Sequence, residues 1–99
     1  MIINFQQKKL YDFFFKRLPL PTIKPITKRL LNKLKVLHRE RSWQTLKNFF
    51  RDDLEKMKGE WKGWGSIRIN KQYRIIFKWG KDNNAYDVDL TKHYHKVNL

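Results

Sequence analysis

The stretch Lys58-Gly-Glu-Trp-Lys-Gly-Trp-Gly-Ser-Ile-Arg-Ile-Asn-Lys-Gln-Tyr-Arg-Ile-Ile-Phe-Lys-Trp79 decides how the rest of the chain is read. It opens on a turn carrying Gly59, Gly63 and Gly65, residues that tolerate positive φ and close backbone approach. Two runs of strand formers come next, residues 66–69 and 73–79, joined by the polar Asn70-Lys71-Gln72. In the second run Tyr73, Ile75, Phe77 and Trp79 alternate with Arg74, Ile76 and Lys78; in the first, Ile67 and Ile69 alternate with Ser66 and Arg68. A period of two collects the apolar set on one sheet face and sends Arg68, Arg74 and Lys78 to the other. Cations on a stiff sheet, beside a lysine in a glycine turn, form a surface suited to phosphate.

Moving outward from that core, residues 85–90 add a strand in which Tyr86, Val88 and Leu90 alternate with Asp87 and Asp89, after a hairpin loop at 80–84. Upstream, residues 54–57 read as a strand entering the glycine turn, and residues 47–53 as a loop. Ser42 is placed to cap a short helical turn with Trp43 and Leu46 facing the core. Residues 26–38 carry Ile26, Leu30, Leu34 and Leu37 at helical spacing, with Lys28, Arg29, Asn32, Lys33 and Lys35 on the opposite face. That basic side suits RNA or an acidic partner, and equally a solvated surface. His38 stands where a cation would complement a helix C-terminus. The prolines of residues 18–25 predict an extended connector. Residues 8–17 form a helix burying Leu10, Phe13 and Phe14, with Phe15 partly off that stripe and free to face a partner, and residues 2–5 read as a short opening strand. The order β-α-α-(α)-β-β-β-β predicts an α+β fold: a twisted antiparallel sheet with the N-terminal helices packed on one face.

Ninety-nine residues suffice for a single domain over 1–99 with its own core. The net charge of +14 implies an anionic partner, and the aromatic share of 15% argues against disorder. No apolar run reaches membrane-spanning length and no secretory signal opens the chain, which predicts a cytoplasmic protein with no membrane association. The absence of cysteine excludes disulfides and thiol chemistry. The glycine turn is no P-loop, since no Gly-Lys-Ser/Thr follows and the next element is a strand. His93 and His95 supply two imidazoles without a third ligand, so neither metal nor cofactor is expected. His93-Tyr94-His95 beside a cation-rich sheet suits metal-independent RNA cleavage instead, and equally an ordinary polar tail. Cleavage needs a base for the ribose 2′-hydroxyl, an acid for the leaving 5′-oxygen and cations for the phosphate. Histidine's reference pKa of about 6.5 suits proton transfer.

Lys58-Gly59, Gly63, the run from Ser66 to Phe77, the Ala85-Tyr86-Asp87-Val88-Asp89 strand and the aromatic–histidine end resemble the HigB toxins of the RelE/ParE superfamily. Residues 1–5, 28–34 and 42–46 match as well, so the resemblance covers nearly the whole chain. It implies a compact RelE-like fold, cleavage of translated mRNA on the ribosome, and neutralisation by a cognate HigA-like helix-turn-helix antitoxin in a hetero-oligomer. It assigns Lys58 and Arg74 to the scissile phosphate, and Tyr94 and His95 to stacking and proton transfer. Three departures stand out. Glu55 replaces a frequent family histidine and is available as a base. His93 occupies the place of the usual acidic residue and the tail is one residue longer, so His93 or His95 takes the family histidine's role. Asn70 stands where some members have arginine, leaving Arg68 or Lys62 to supply the charge. The alternatives are a ParE-like inhibitor of DNA gyrase, which needs no proton shuttle, and a plain RNA-binding protein.

Overall fold

A computed structural model describes residues 1–92 and 95–99. The helices are α1 (Lys8–Lys16), α2 (Thr27–Arg39) and α3 (Trp43–Phe50), and the strands are β1 (Leu54–Lys56), β2 (Trp64–Arg68), β3 (Tyr73–Trp79), β4 (Ala85–Lys92) and β5 (His95–Lys96). The strands form one antiparallel sheet in the order β1-β2-β3-β4-β5. This is the α+β architecture that the element order predicts.

Register explains the layering. Leu54 pairs with Ile67, Ile67 with Ile75 and Ile75 with Leu90, so these four fully buried residues form one transverse row. That row and Phe77 meet Leu10, Phe13, Phe14, Leu30, Leu34, Leu37, Leu46 and Phe50 from the helices in a contiguous core. Burying each such side chain contributes about 1.5–3 kcal/mol, which is why the helices cover this face. Gly65 matters at the centre: a Cβ there would lie 2.8 Å from Phe77 Cζ and 2.9 Å from Trp43 Cη2. The bare backbone lets Trp43 pack on Phe77 and Trp79, with ring centroids 6.2 and 6.1 Å away.

Several local expectations need correction. The opening stretch bridges β4 in the parallel sense, Ile2 to Ala85 and Phe5 to Val88, and forms no longer strand. It shares an edge of β4 with β5, which pairs at Thr91 and Lys92. The proline segment is not an extended connector: Pro21–Ile26 forms a 3-10 helix that docks Ile23 and Ile26. Proline's fixed φ suits a first helical turn as well as an extended chain. Residues 47–53 are not a loop either. The helix begun at Ser42, whose side chain accepts from the Thr45 N–H, runs on to Phe50 and ends in a 3-10 turn, Arg51–Asp53. Leu46 and Phe50, four residues apart and both buried, share the face that extends it. Gly65 lies inside β2, outside the turn. Gly59 and Gly63 do adopt positive φ, +67° and +94°, around the 3-10 turn Gly59–Trp61.

His38 also has a different role. Its Nδ1 accepts a hydrogen bond of 3.0 Å from the Ile2 N–H, which requires that nitrogen to be unprotonated. Burial lowers its pKa, assisted by the neighbouring N-terminal amine. It pins the opening segment as a neutral ring instead of complementing the helix as a cation.

Candidate active site

The face of the sheet away from the helices carries the polar row predicted by alternation. Glu55 stands opposite Ser66, Arg68 opposite Arg74, and Trp64 opposite Lys78. The Arg74 guanidinium lies between two of these neighbours. Its Nη1 donates to Ser66 Oγ at 3.4 Å and sits 3.9 Å from Glu55 Oε2. Both separations are long for a hydrogen bond and an ion pair. Ser66 is buried, the Arg74 side chain is 27% exposed and the Glu55 side chain 60% exposed, so exposure rises from the hydroxyl to the carboxylate. The structure thus brings Glu55 and Arg74 together and adds Ser66, which sequence reasoning passed over. The available signal was the strand pattern itself, since Ser66 alternates in phase with Arg68.

The other predicted residues are distributed around this group. Arg68 is engaged by Asp53, 3.4 Å away, and the same carboxylate holds Lys33 of α2 at 3.8 Å. Asn70 makes a turn: its Oδ1 accepts from the N–H groups of Gln72 and Tyr73, both at 2.8 Å. Lys58 lies just past β1, where the Met57 N–H donates to Trp64 O. Lys58 is therefore level with the Trp64 end of β2, whereas Arg74 is level with Arg68 at the far end. Four strand positions separate those levels, roughly 13 Å at the usual rise. Lys62 is exposed in the same turn region as Lys58. Lys28 and Arg29 are exposed on α2, whose buried side faces the core, and so are not brought to the Glu55–Arg74 group.

Of the tail residues, His93 and Tyr94 lie outside the described residues. His95 is exposed in β5 and pairs with Lys92, which in turn lies opposite Tyr73. By alternation His95 belongs to the Tyr73 row, whereas the Arg74 row passes through Thr91 to Lys96. The strand leading to the tail nonetheless passes directly beside Arg74, at Thr91. Gln7 ties the C-terminal residues down: its Nε2 donates to Asp89 Oδ1 at 2.7 Å and Val97 O at 2.9 Å, and its Oε1 accepts from the Leu99 N–H at 3.4 Å. Gln7 gave no warning of this in the sequence, because its partners are more than eighty residues away.

Chemically the group offers a cation for a phosphate oxygen, a carboxylate for proton transfer and a hydroxyl to orient the cation. Residues 3–95 match the family model of HigB-like toxins, described as the RelE-like toxin of type II toxin-antitoxin system HigB. The chain is 34% identical over 96 residues to Toxin HigB-1 of Vibrio cholerae serotype O1 (strain ATCC 39315 / El Tor Inaba N16961), covering 94% of this chain and 98% of that protein.

Proposed function

The chain belongs to the HigB-like toxins of type II toxin–antitoxin systems, and from that premise we propose that it is a ribosome-dependent mRNA endonuclease. A toxin of such a system has an antitoxin partner; the proposal extends this to a HigA-like helix-turn-helix antitoxin bound in a hetero-oligomer. The observation that carries the nuclease reading is the Arg74 guanidinium set beside Glu55 and Ser66 on the sheet face opposite the core row.

In the proposed reaction the Glu55 carboxylate takes the proton of a ribose 2′-hydroxyl. The freed 2′-oxygen attacks the adjacent phosphorus, and the bond to the 5′-oxygen breaks. A histidine of the tail gives its proton to that leaving oxygen, His93 in preference to His95 because His95 belongs to the Tyr73 row, and the product carries a 2′,3′-cyclic phosphate. Arg74 exchanges its long contact with Glu55 for the phosphate oxygens, so charge developing on them meets a cation already in position. Lys58 steadies the same strand of RNA nearer the glycine turn, and Tyr94 stacks on a base. Lys62, Arg68, Lys28 and Arg29 add to the field that draws the protein to ribosomal RNA, with an affinity that falls steeply as salt rises. The family match does not favour the gyrase alternative.

The test is translation of a defined mRNA in vitro with the wild type, Glu55→Gln, His93→Ala and His95→Ala, followed by mapping of fragment 5′ ends. Cuts in step with the reading frame, lost with Glu55→Gln and with one of the two histidine variants, are expected. Intact mRNA with the wild type on active ribosomes overturns the reading. Unchanged function in a His93→Ala, His95→Ala double variant points to plain RNA binding.

A further inference from the structure

A second feature lies on the other side of β1. Lys56 and Gly65 face each other across the strand pair, one residue out of phase with Glu55 and Ser66, so they belong to the helix-covered face. Beside that pair, at the β1 edge and the Trp64 end of the sheet, a cavity of about 510 Å³ is lined by Trp43, Trp64 and Trp79, by Lys56, Lys58 and Lys62, and by Met57, Gly59 and Gly63. Its size falls in the range of small-ligand sites, about 300–1,000 Å³.

The walls and the rim have different chemistry. The indoles supply flat aromatic surface: Trp43 is packed on Trp79 at 6.1 Å, and Trp64 is braced edge-on by Trp61 at 5.4 Å. The rim supplies cations, and among the described residues no carboxylate lines the cavity. Lys56 Nζ already sits 5.2 Å from the Trp43 ring centroid, which holds an ammonium over the aromatic floor. A flat apolar group attached to an anion satisfies both, and in a protein of net charge +14 the fitting ligand is a nucleotide. We propose that this cavity holds one unpaired nucleotide of single-stranded RNA, its base against the indoles and its flanking phosphates on Lys56, Lys58 and Lys62. The proposal rests on the nuclease reading for its ligand class, and is separate from it in residues apart from Lys58 and Lys62. RNA gripped here would be fixed at the Trp64 end of the sheet while its neighbouring phosphodiester lies toward Arg74.

The chain carries its own reporter. Its four tryptophans are the three that line the cavity and Trp61, set edge-on to one of them. Titration of the full-length protein with a short single-stranded oligoribonucleotide is expected to quench tryptophan fluorescence saturably. Trp64→Leu should weaken binding at least about fivefold, the loss expected for one base–aromatic stack, and Trp64→Phe should recover most of it. Should the Trp64 variants misfold by circular dichroism, the double variant Lys56→Gln, Lys62→Gln gives the same answer from exposed side chains. It should weaken binding several-fold more than Lys8→Gln, Lys9→Gln, which removes equal charge on α1. The proposal is overturned by wild-type affinity in Trp64→Leu, by equal losses in the two lysine pairs, or by equal quenching with duplex RNA. Saturable quenching by inorganic phosphate alone, or stronger quenching by an oligo-glutamate peptide, overturns it as well, since either removes the base from recognition. Saturable quenching by RNA that ribosomes never expose to cutting separates this site from the nuclease reading. Frame-linked cutting with no Trp64 effect retains the nuclease and discards the pocket.

Discussion

The two ends of the β2–β3 ribbon use positive charge in opposite ways. At the Arg68/Arg74 end each arginine has a carboxylate within 4 Å, Asp53 for one and Glu55 for the other. At the Trp64/Trp79 end the lysines ring a tryptophan-lined cavity that no described carboxylate lines. One end resembles a pre-positioned reaction centre, in which the cation already has a proton acceptor beside it. The other resembles a binding site, in which cations lie over flat apolar surface. A basic protein need not spread its charge as a uniform field; local partners decide what each cation can do.

The largest effect that would break this division comes from Arg74. Arg74→Ala should lower mRNA cleavage in a translation extract by about 10²–10³-fold, the usual loss when one transition-state donor is removed. RNA-induced tryptophan quenching should persist at near wild-type affinity. If both fall together, the two ends act as one site. Next in size, Gly65→Val introduces atoms where Phe77 Cζ would already lie 2.8 Å from a Cβ. Denaturant unfolding should show about 1–3 kcal/mol of destabilisation, the usual cost of overpacking, with the tryptophan emission altered because Trp43 must move. A smaller change sharpens the same point. Ser42 caps the helix that carries Trp43, so Ser42→Ala should cost about 1 kcal/mol of stability and loosen RNA binding more than cleavage chemistry.

The smallest effect concerns a region belonging to neither end. His38 has its pKa lowered by burial in the fold, as has the Met1 amine. As pH falls, the unfolded chain binds these protons before the folded one does, so stability is present above the unfolded values and lost as pH drops through and below about 6.5. Thermal melts should therefore show a lower midpoint at mildly acidic pH, and His38→Gln should flatten that dependence. Tryptophan quenching by RNA at pH values where the protein remains folded should be unchanged by that variant. A change would tie the N-terminal anchor to the pocket.

Much of this was legible without coordinates, for local reasons. Strand periodicity from Ser66 to Trp79 assigns the helix-facing and opposite faces, because alternation is a property of the extended backbone itself. The cap at Ser42 and the apolar stripe of α2 are equally local. What escaped were features set by partners distant in sequence or by composition that fits two conformations. The prolines of Pro21–Ile26 permit either an extended chain or a helical first turn, and burial of Ile23 and Ile26 chooses. His38 looked like a helix-end cation until the Ile2 N–H was found on its ring.

Alternation and charge by themselves determined that a stiff sheet would present Arg68, Arg74 and Lys78 on one face, since side-chain direction in a strand follows from position alone. Only the tertiary structure decided which cation meets which partner. Cross-strand register places Glu55 and Ser66 at Arg74, gives Arg68 to Asp53 and leaves Lys56 over Trp43. Register depends on how the core packs across the whole sheet, and no single stretch of sequence contains it.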